Sequence, residues 1–209
     1  MRIGVLVFPD AEELDFLGPW EMLGMWSREP GGPEQRLIVA QTLAPVACAK
    51  GLSLNPHVSF ADCPELDVLL VPGGQGTRRE VDNPALVDFL RDRGARCLSL
   101  LSVCTGAFLL HRAGLLQGRR ATTHWASLDR LRALGDVEVV ERRHVRDGNL
   151  WCAAGVSAGI DMTLAFIADT AGAETAGRVQ LAAEYYPAAP VYGDPRQVPG
   201  APRYIQGGA

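Results

Sequence analysis

The sequence contains no apolar run of membrane-spanning length. A secretion signal is also missing. The chain enters a strand pattern at once, Arg2-Ile3-Gly4-Val5-Leu6-Val7-Phe8, with no basic stretch and apolar core ahead of it. Positive charge is not in excess: the net charge is −4 and the isoelectric point is near 5.6, which gives nucleic-acid binding no support. Cys48, Cys63, Cys97, Cys104 and Cys152 are odd in number, irregular in spacing and without a C-x-x-C pair, which argues against a disulfide framework. His57, His111, His124 and His144 include no H-x-x-x-H pair, so no metal site is expected. There is no internal repeat and no linker between domains. The expectation is a reducing, cytoplasmic, soluble protein with no nucleic-acid or membrane partner.

What is present suits a globular core. The chain has 209 residues, 47% hydrophobic and 21% charged. Its basic pairs, Arg119-Arg120 and Arg142-Arg143, read as solvated loops or edges. Leu14, Leu17, Trp20, Leu23 and Trp26 recur at three-residue steps and predict a helix over 12–27. Pro19 moves the expected start of the regular helix to near Asp15, which leaves the proline in the first turn. Residues 35–41 predict a strand, 46–54 a hairpin about Lys50-Gly51, and 67–71 a short buried strand running into Pro72-Gly73-Gly74-Gln75-Gly76. A helix over 84–93 has Asn83 as its cap; a strand near 96–103 leads to a helix near 105–113. After Thr122-Thr123-His124-Trp125 a helix runs to about Leu134, followed by short strands near 137–146 and 150–153. Ser157 is placed to cap a helix over 158–170, and another helix covers 173–185. One domain is expected over 1–185, with an extended, proline- and glycine-rich tail over 186–209. Alternating strands and helices predict an α/β fold, a flavodoxin-like sandwich with a mostly parallel central sheet and helices on both faces.

In such sheets ligands bind beyond the carboxyl ends of the strands. Asp15, Gly73-Gly74 and Cys104 all fall at such ends. Cys104 closes the apolar stretch Leu98-Ser99-Leu100-Leu101-Ser102-Val103 and opens Thr105-Gly106-Ala107. This predicts a sharp strand-to-helix turn, a nucleophile elbow, where a helix N-terminus favours the thiolate. The other reading is a buried structural cysteine. The backbone N–H groups of Thr105 and Gly74 are candidates for an anion-stabilising pair, although Pro72-Gly73-Gly74 also reads as an ordinary turn. Asp15, among apolar neighbours, is either a proton donor and acceptor with a raised pKa or the cap of a helix starting at Phe16. The Thr105 hydroxyl could donate to the thiolate or orient a substrate. His124 is a candidate site contact or a hydrogen-bonded structural residue, and Asp161 is a lesser candidate beside solvated or capping roles. Cys48, Cys63, Cys97 and Cys152 have no helix start behind them and are read as inert.

Together these residues resemble the ThiJ/PfpI superfamily, a branch of the class I glutamine-amidotransferase-like fold. The matching pieces are Ile3 to Phe8, Leu14-Asp15-Phe16-Leu17-Gly18-Pro19-Trp20-Glu21, Val71-Pro72-Gly73-Gly74, Ser102-Val103-Cys104-Thr105-Gly106-Ala107, Arg120-Ala121-Thr122-Thr123-His124-Trp125 and Ser157-Ala158-Gly159-Ile160-Asp161. Within it the chain is most similar to the isocyanide (isonitrile) hydratases, on Leu14-Asp15-x-x-Gly18-Pro19, the threonine after Cys104, and Glu184-Tyr185-Tyr186-Pro187. The protease and amidase branch carries histidine where this chain has Thr105. Several chaperone or redox-sensing relatives carry glutamate on the first helix, where this chain has Asp15. Sensor domains of AraC-type regulators share the Cys-Thr-Gly and Thr-Thr-His-Trp pieces but continue into a helix-turn-helix region, for which no room is expected after residue 185.

The resemblance implies hydration of an isonitrile to an N-substituted formamide through a covalent thioimidate on Cys104. Protonation would be assisted by Asp15, without metal or organic cofactor, in a homodimer. Phe16, Leu17 and Trp20 are candidates for an apolar wall. The alternatives are an amidase, peptidase or glyoxalase-like enzyme using the same thiol, and a non-enzymatic ligand or oxidation sensor in which Cys104 is oxidised.

Overall fold

The computed structural model describes residues 1–187 and 192–206. The chain runs β1 (Arg2–Leu6), α1 (Glu13–Trp26), β2 (Gln35–Ala40), β3 (Val46–Ala47), β4 (Ser53–Leu54), β5 (Val58–Ser59), β6 (Val68–Val71), α2 (Thr77–Glu80), α3 (Pro84–Arg96), β7 (Ser99–Val103) and α4 (Gly106–Arg112). It continues through β8 (Arg120–Ala121), α5 (Leu128–Arg132), β9 (Glu138–Val139), β10 (His144–Asp147), β11 (Leu150–Ala153), α6 (Ala158–Ala171), α7 (Ala173–Ala182) and α8 (Arg203–Gln206).

Seven strands form one sheet in the order β10-β11-β7-β6-β1-β2-β5. Its pairings are parallel apart from β10 with β11. The helices α1, α6 and α7 pack together on one face, and α2, α3 and α4 on the other, which is the flavodoxin-like sandwich expected. Every residue of β6 is buried, as is all of β7 after Ser99. A strand covered on both faces can be apolar at every position, so these two runs show no alternation. From β1 the chain adds β2 and β5 on one side, then crosses to β6, β7 and β11 on the other. In such sheets the reversal, here at the carboxyl ends of β1, β6 and β7, is where ligands bind.

Several local expectations are corrected. Helix α1 starts at Glu13, so Pro19 lies in its second turn and forfeits the helical bond to the Asp15 carbonyl. Close packing accompanies the defect. A Cβ on Gly18 would come within 2.7 Å of Ile160, and one on Gly159 within 3.2 Å of Pro19 Cγ, so α1 and α6 touch nearly backbone to backbone. Ser157 makes no capping bond to α6; its Oγ accepts instead from Arg143 Nη2 at 3.2 Å. Asn83 does cap α3, accepting from the Ala85 N–H at 3.2 Å. The 137–146 run divides into β9, paired with β8, and β10, in the main sheet. The 186–209 segment is not simply extended: it holds a 3-10 turn at Pro195–Gln197 and α8, with Tyr204 packed on the core. Residues 188–191 and 207–209 of that segment lie outside the described residues. Among the described residues no helix is long and apolar enough to cross a membrane.

Candidate active site

Strand β7 delivers Cys104 to a corner with φ +57°, a left-handed conformation that a residue with a Cβ adopts only when its surroundings enforce it. The enforcement is visible. The Cys104 N–H donates to the carbonyls of Ala153 (3.1 Å) and Ala154 (2.8 Å) at the end of β11. Its carbonyl accepts from the Thr123 hydroxyl at 2.8 Å. The residue keeps 8% of its surface exposed.

Asp15 arrives from α1. It is the third residue of the helix and fully buried. Its Oδ2 accepts from the Gly73 N–H at 2.8 Å, so it reaches across to the loop after β6 rather than capping its own helix. Its Oδ1 is buried with no directional hydrogen-bond partner. Gly73 has to lack a side chain, because a Cβ there would lie 2.6 Å from Thr105 Oγ1 and 2.9 Å from Asp15 Oδ2. Gly74, at φ +121°, donates its N–H to Thr105 Oγ1 at 3.0 Å. That N–H is therefore taken by the threonine in this structure and holds it in place.

Burial dominates the electrostatics. It pushes the Asp15 carboxyl up to about 8, helped by the negative charge of Glu12 and opposed by the Gly73 N–H, the Cys104 thiol and Lys50. The Cys104 thiol is pushed up to about 12, again by burial first and by Asp15 second. The N–H groups of Thr105 and Val156 and the Thr105 hydroxyl work against that rise. Burial thus pushes both groups towards their uncharged forms, against the thiolate that a helix N-terminus favours.

His124 accepts from the Ala126 N–H through Nδ1 at 3.3 Å, capping a 3-10 turn. Its ring lies over Gly155, where a Cβ would meet Cδ2 at 2.6 Å, and burial lowers its pKa. It borders the turn that carries Val156 as a neutral ring. Asp161, in the first turn of α6 and partly exposed, is held by Arg143 and by the Tyr185 hydroxyl. Phe16 is fully buried in the core, and Trp20 lies under the Arg36 guanidinium at 4.6 Å, so these two are packing residues rather than the anticipated wall. Val156, at φ +39°, and Thr77, whose hydroxyl is 3.1 Å from that of Thr105, were not anticipated. The run Ala153-Ala154-Gly155 after an apolar strand was the one available signal for the first; nothing local marks the second. The other four cysteines are free and buried.

A thiol at a strand-to-helix corner of a doubly wound sheet, faced by a carboxyl from the first helix, defines a class of α/β proteins. The DJ-1/PfpI family model matches residues 1–169, and the chain belongs to that family. It is 43% identical over 203 residues to the isonitrile hydratase of Pseudomonas putida, spanning 96% of this chain and 86% of that protein. The crystal structure of a ThiJ/PfpI family protein from Pseudomonas syringae matches with a TM-score of 0.85 and 36% identity, over 98% of this chain and 82% of that one. DJ-1beta of Drosophila melanogaster matches with a TM-score of 0.76 over 89% of this chain and 98% of that one, at 20% identity, a likeness of fold.

Proposed function

We propose that the protein hydrates an isonitrile to an N-substituted formamide, with Cys104 as nucleophile and Asp15 as proton carrier. The relationship to the Pseudomonas putida isonitrile hydratase supports the substrate class. What carries the chemistry is the buried Asp15 carboxyl beside the Cys104 thiol, with burial raising the pKa of both. An isonitrile is itself neutral and its terminal carbon bears a lone pair, so it enters such a corner without a charge penalty. Asp15 donates its proton to that carbon while the Cys104 sulfur bonds to it. The thiol proton passes to the carboxylate, giving the thioimidate R–N=CH–S–Cys104 and regenerating the acid. Water then adds across the C=N bond. Rupture of the C–S bond releases R–NH–CHO and restores the thiol. A carboxyl with a pKa near the operating pH suits both directions of transfer.

The remaining contacts fit this sequence of steps. The N–H groups of Thr105 and Val156 stabilise the sulfur as it takes up negative charge. The Thr105 hydroxyl has two acceptors for its proton, the Gly74 carbonyl at 3.2 Å and the sulfur. A linear isonitrile group is narrow enough to suit a cysteine that is only 8% exposed. The reading includes a homodimer: Leu14, on the same helix as Asp15, is 40% exposed and borders an apolar groove with Leu17, Met22, Met25 and Ile160. Incubation with a panel of aryl and alkyl isonitriles, with formamides read by mass spectrometry, tests the function. Turnover by the protein and none by Cys104→Ala is expected. Folded protein that leaves every isonitrile untouched would remove the hydratase reading while the fold and family stand.

A further inference from the structure

A second polar cluster lies beside the elbow and takes no part in the proposed chemistry. Arg143, immediately before β10, directs Nε to Asp161 Oδ2 and Nη2 to Ser157 Oγ at 3.2 Å. The other Asp161 oxygen accepts from the Tyr185 hydroxyl at 3.0 Å. The Arg143 carbonyl accepts from the Ala154 N–H at 2.9 Å. One residue thus grips both ends of the four-residue turn from Ala154 to Ser157, and is itself held from α6 and from the segment after α7.

That turn is the one that touches the sulfur. The Ala154 carbonyl accepts the Cys104 N–H at 2.8 Å, and the Val156 N–H works against the rise of the thiol pKa. Val156 sits at φ +39°, a conformation that β-branched residues avoid and that persists only where neighbours over-determine it. The groups facing the sulfur are Asp15 from α1, Thr105 at the start of α4 and Val156 from this turn.

We propose that Arg143, braced by Asp161 and Tyr185, is a positioning residue that holds the Ala154–Ser157 turn against the Cys104 elbow. The inference rests on Cys104 being the reacting group, not on the identity of its substrate. It gives one task to two sequence features the chemistry leaves idle, Asp161 and Tyr185 of the Glu184-Tyr185-Tyr186-Pro187 stretch.

The test is the rate at which iodoacetamide alkylates Cys104, read from the mass of its peptide between neutral and alkaline pH, with thermal unfolding as the check on folding. Arg143→Lys keeps the charge but loses the planar fork that serves two acceptors. Both Arg143→Lys and Arg143→Met are expected to slow alkylation by about tenfold, the effect of a rise of one unit in the thiol pKa. Tyr185→Phe, which only loosens the brace, is expected to slow it by about two- to threefold. A normal rate in Arg143→Lys beside a slow one in Arg143→Met would mean that charge at a distance suffices, and would overturn the proposal. Normal rates in both would overturn it too. If Arg143→Met does not fold, Arg143→Lys and Tyr185→Phe decide by the same readout. Because alkylation needs no isonitrile, a slowed variant of a protein without hydratase activity would leave this proposal standing and the functional reading fallen.

Discussion

Cys104 and Cys152 lie on neighbouring strand runs, and burial pushes both thiols up, to about 12 and about 11. What separates them is backbone and company. Cys152 sits inside β11, opposite Ser102 of β7 and Val145 of β10, in regular strand geometry and fully covered. Cys104 sits just past the end of β7, turned out of the sheet at φ +57°. There it meets backbone N–H groups and a carboxyl whose pKa burial pushes up. Burial alone makes an inert thiol. A proton carrier in the same dry corner is what would make a nucleophile.

The largest expected effect breaks this contrast outright. Cys104→Ala should abolish formamide production, by a thousandfold or more on the order expected for loss of a covalent nucleophile. Cys152→Ala should keep full turnover and lose roughly 1 kcal/mol of stability from the small cavity it leaves. Formamide assays and denaturant melts of the two variants check the pair.

Asp15→Asn should lower turnover by about a hundredfold or more, as expected for loss of general acid catalysis. It should also stabilise the fold. The folded carboxyl holds its proton up to about 8, against an ordinary value of 3.8, so the unfolded chain releases that proton first as pH rises. Wild-type stability is therefore fully present below 3.8 and is lost as pH rises through about 8. The asparagine variant escapes that loss. At neutral pH it should melt higher than the wild type, the gain shrinking towards zero in acid. Melting curves across pH would show it.

Thr105→Val should cost about tenfold in turnover and about 1–2 kcal/mol, because the Gly74 N–H loses its acceptor. Thr105→Ser should stay close to wild type. The smallest effect belongs to His124→Gln, about two- to threefold, since a side-chain acceptor for the Ala126 N–H is retained.

The elbow and its partners were legible in the sequence to an uneven degree. An apolar run ending in Cys104-Thr105-Gly106 announces a strand, a corner and a helix, because each of those residue types has a local reason to be there. A mostly parallel sheet followed from alternation alone; the order of its strands did not. The start of α1 did not, since Pro19 looks like a first-turn residue until its packing on Gly159 is seen. Nor did the protonation state. Helix N-terminus and buried corner pull a thiol in opposite directions, and only the depth of burial decides between them. The positions of Val156 and Thr77 depend on contacts between segments far apart in the chain, which no local pattern encodes. The two-residue strands β5 and β8 are too short to show a period.

The central claim is a bond between Cys104 and the isonitrile carbon. Mixing protein with isonitrile, quenching in acid within a turnover and weighing the Cys104 peptide tests it directly. The account predicts a transient gain equal to the mass of the isonitrile on that peptide and none on the Cys152 peptide. Formamide formed with no adduct, and equally fast by Cys104→Ala, would contradict it.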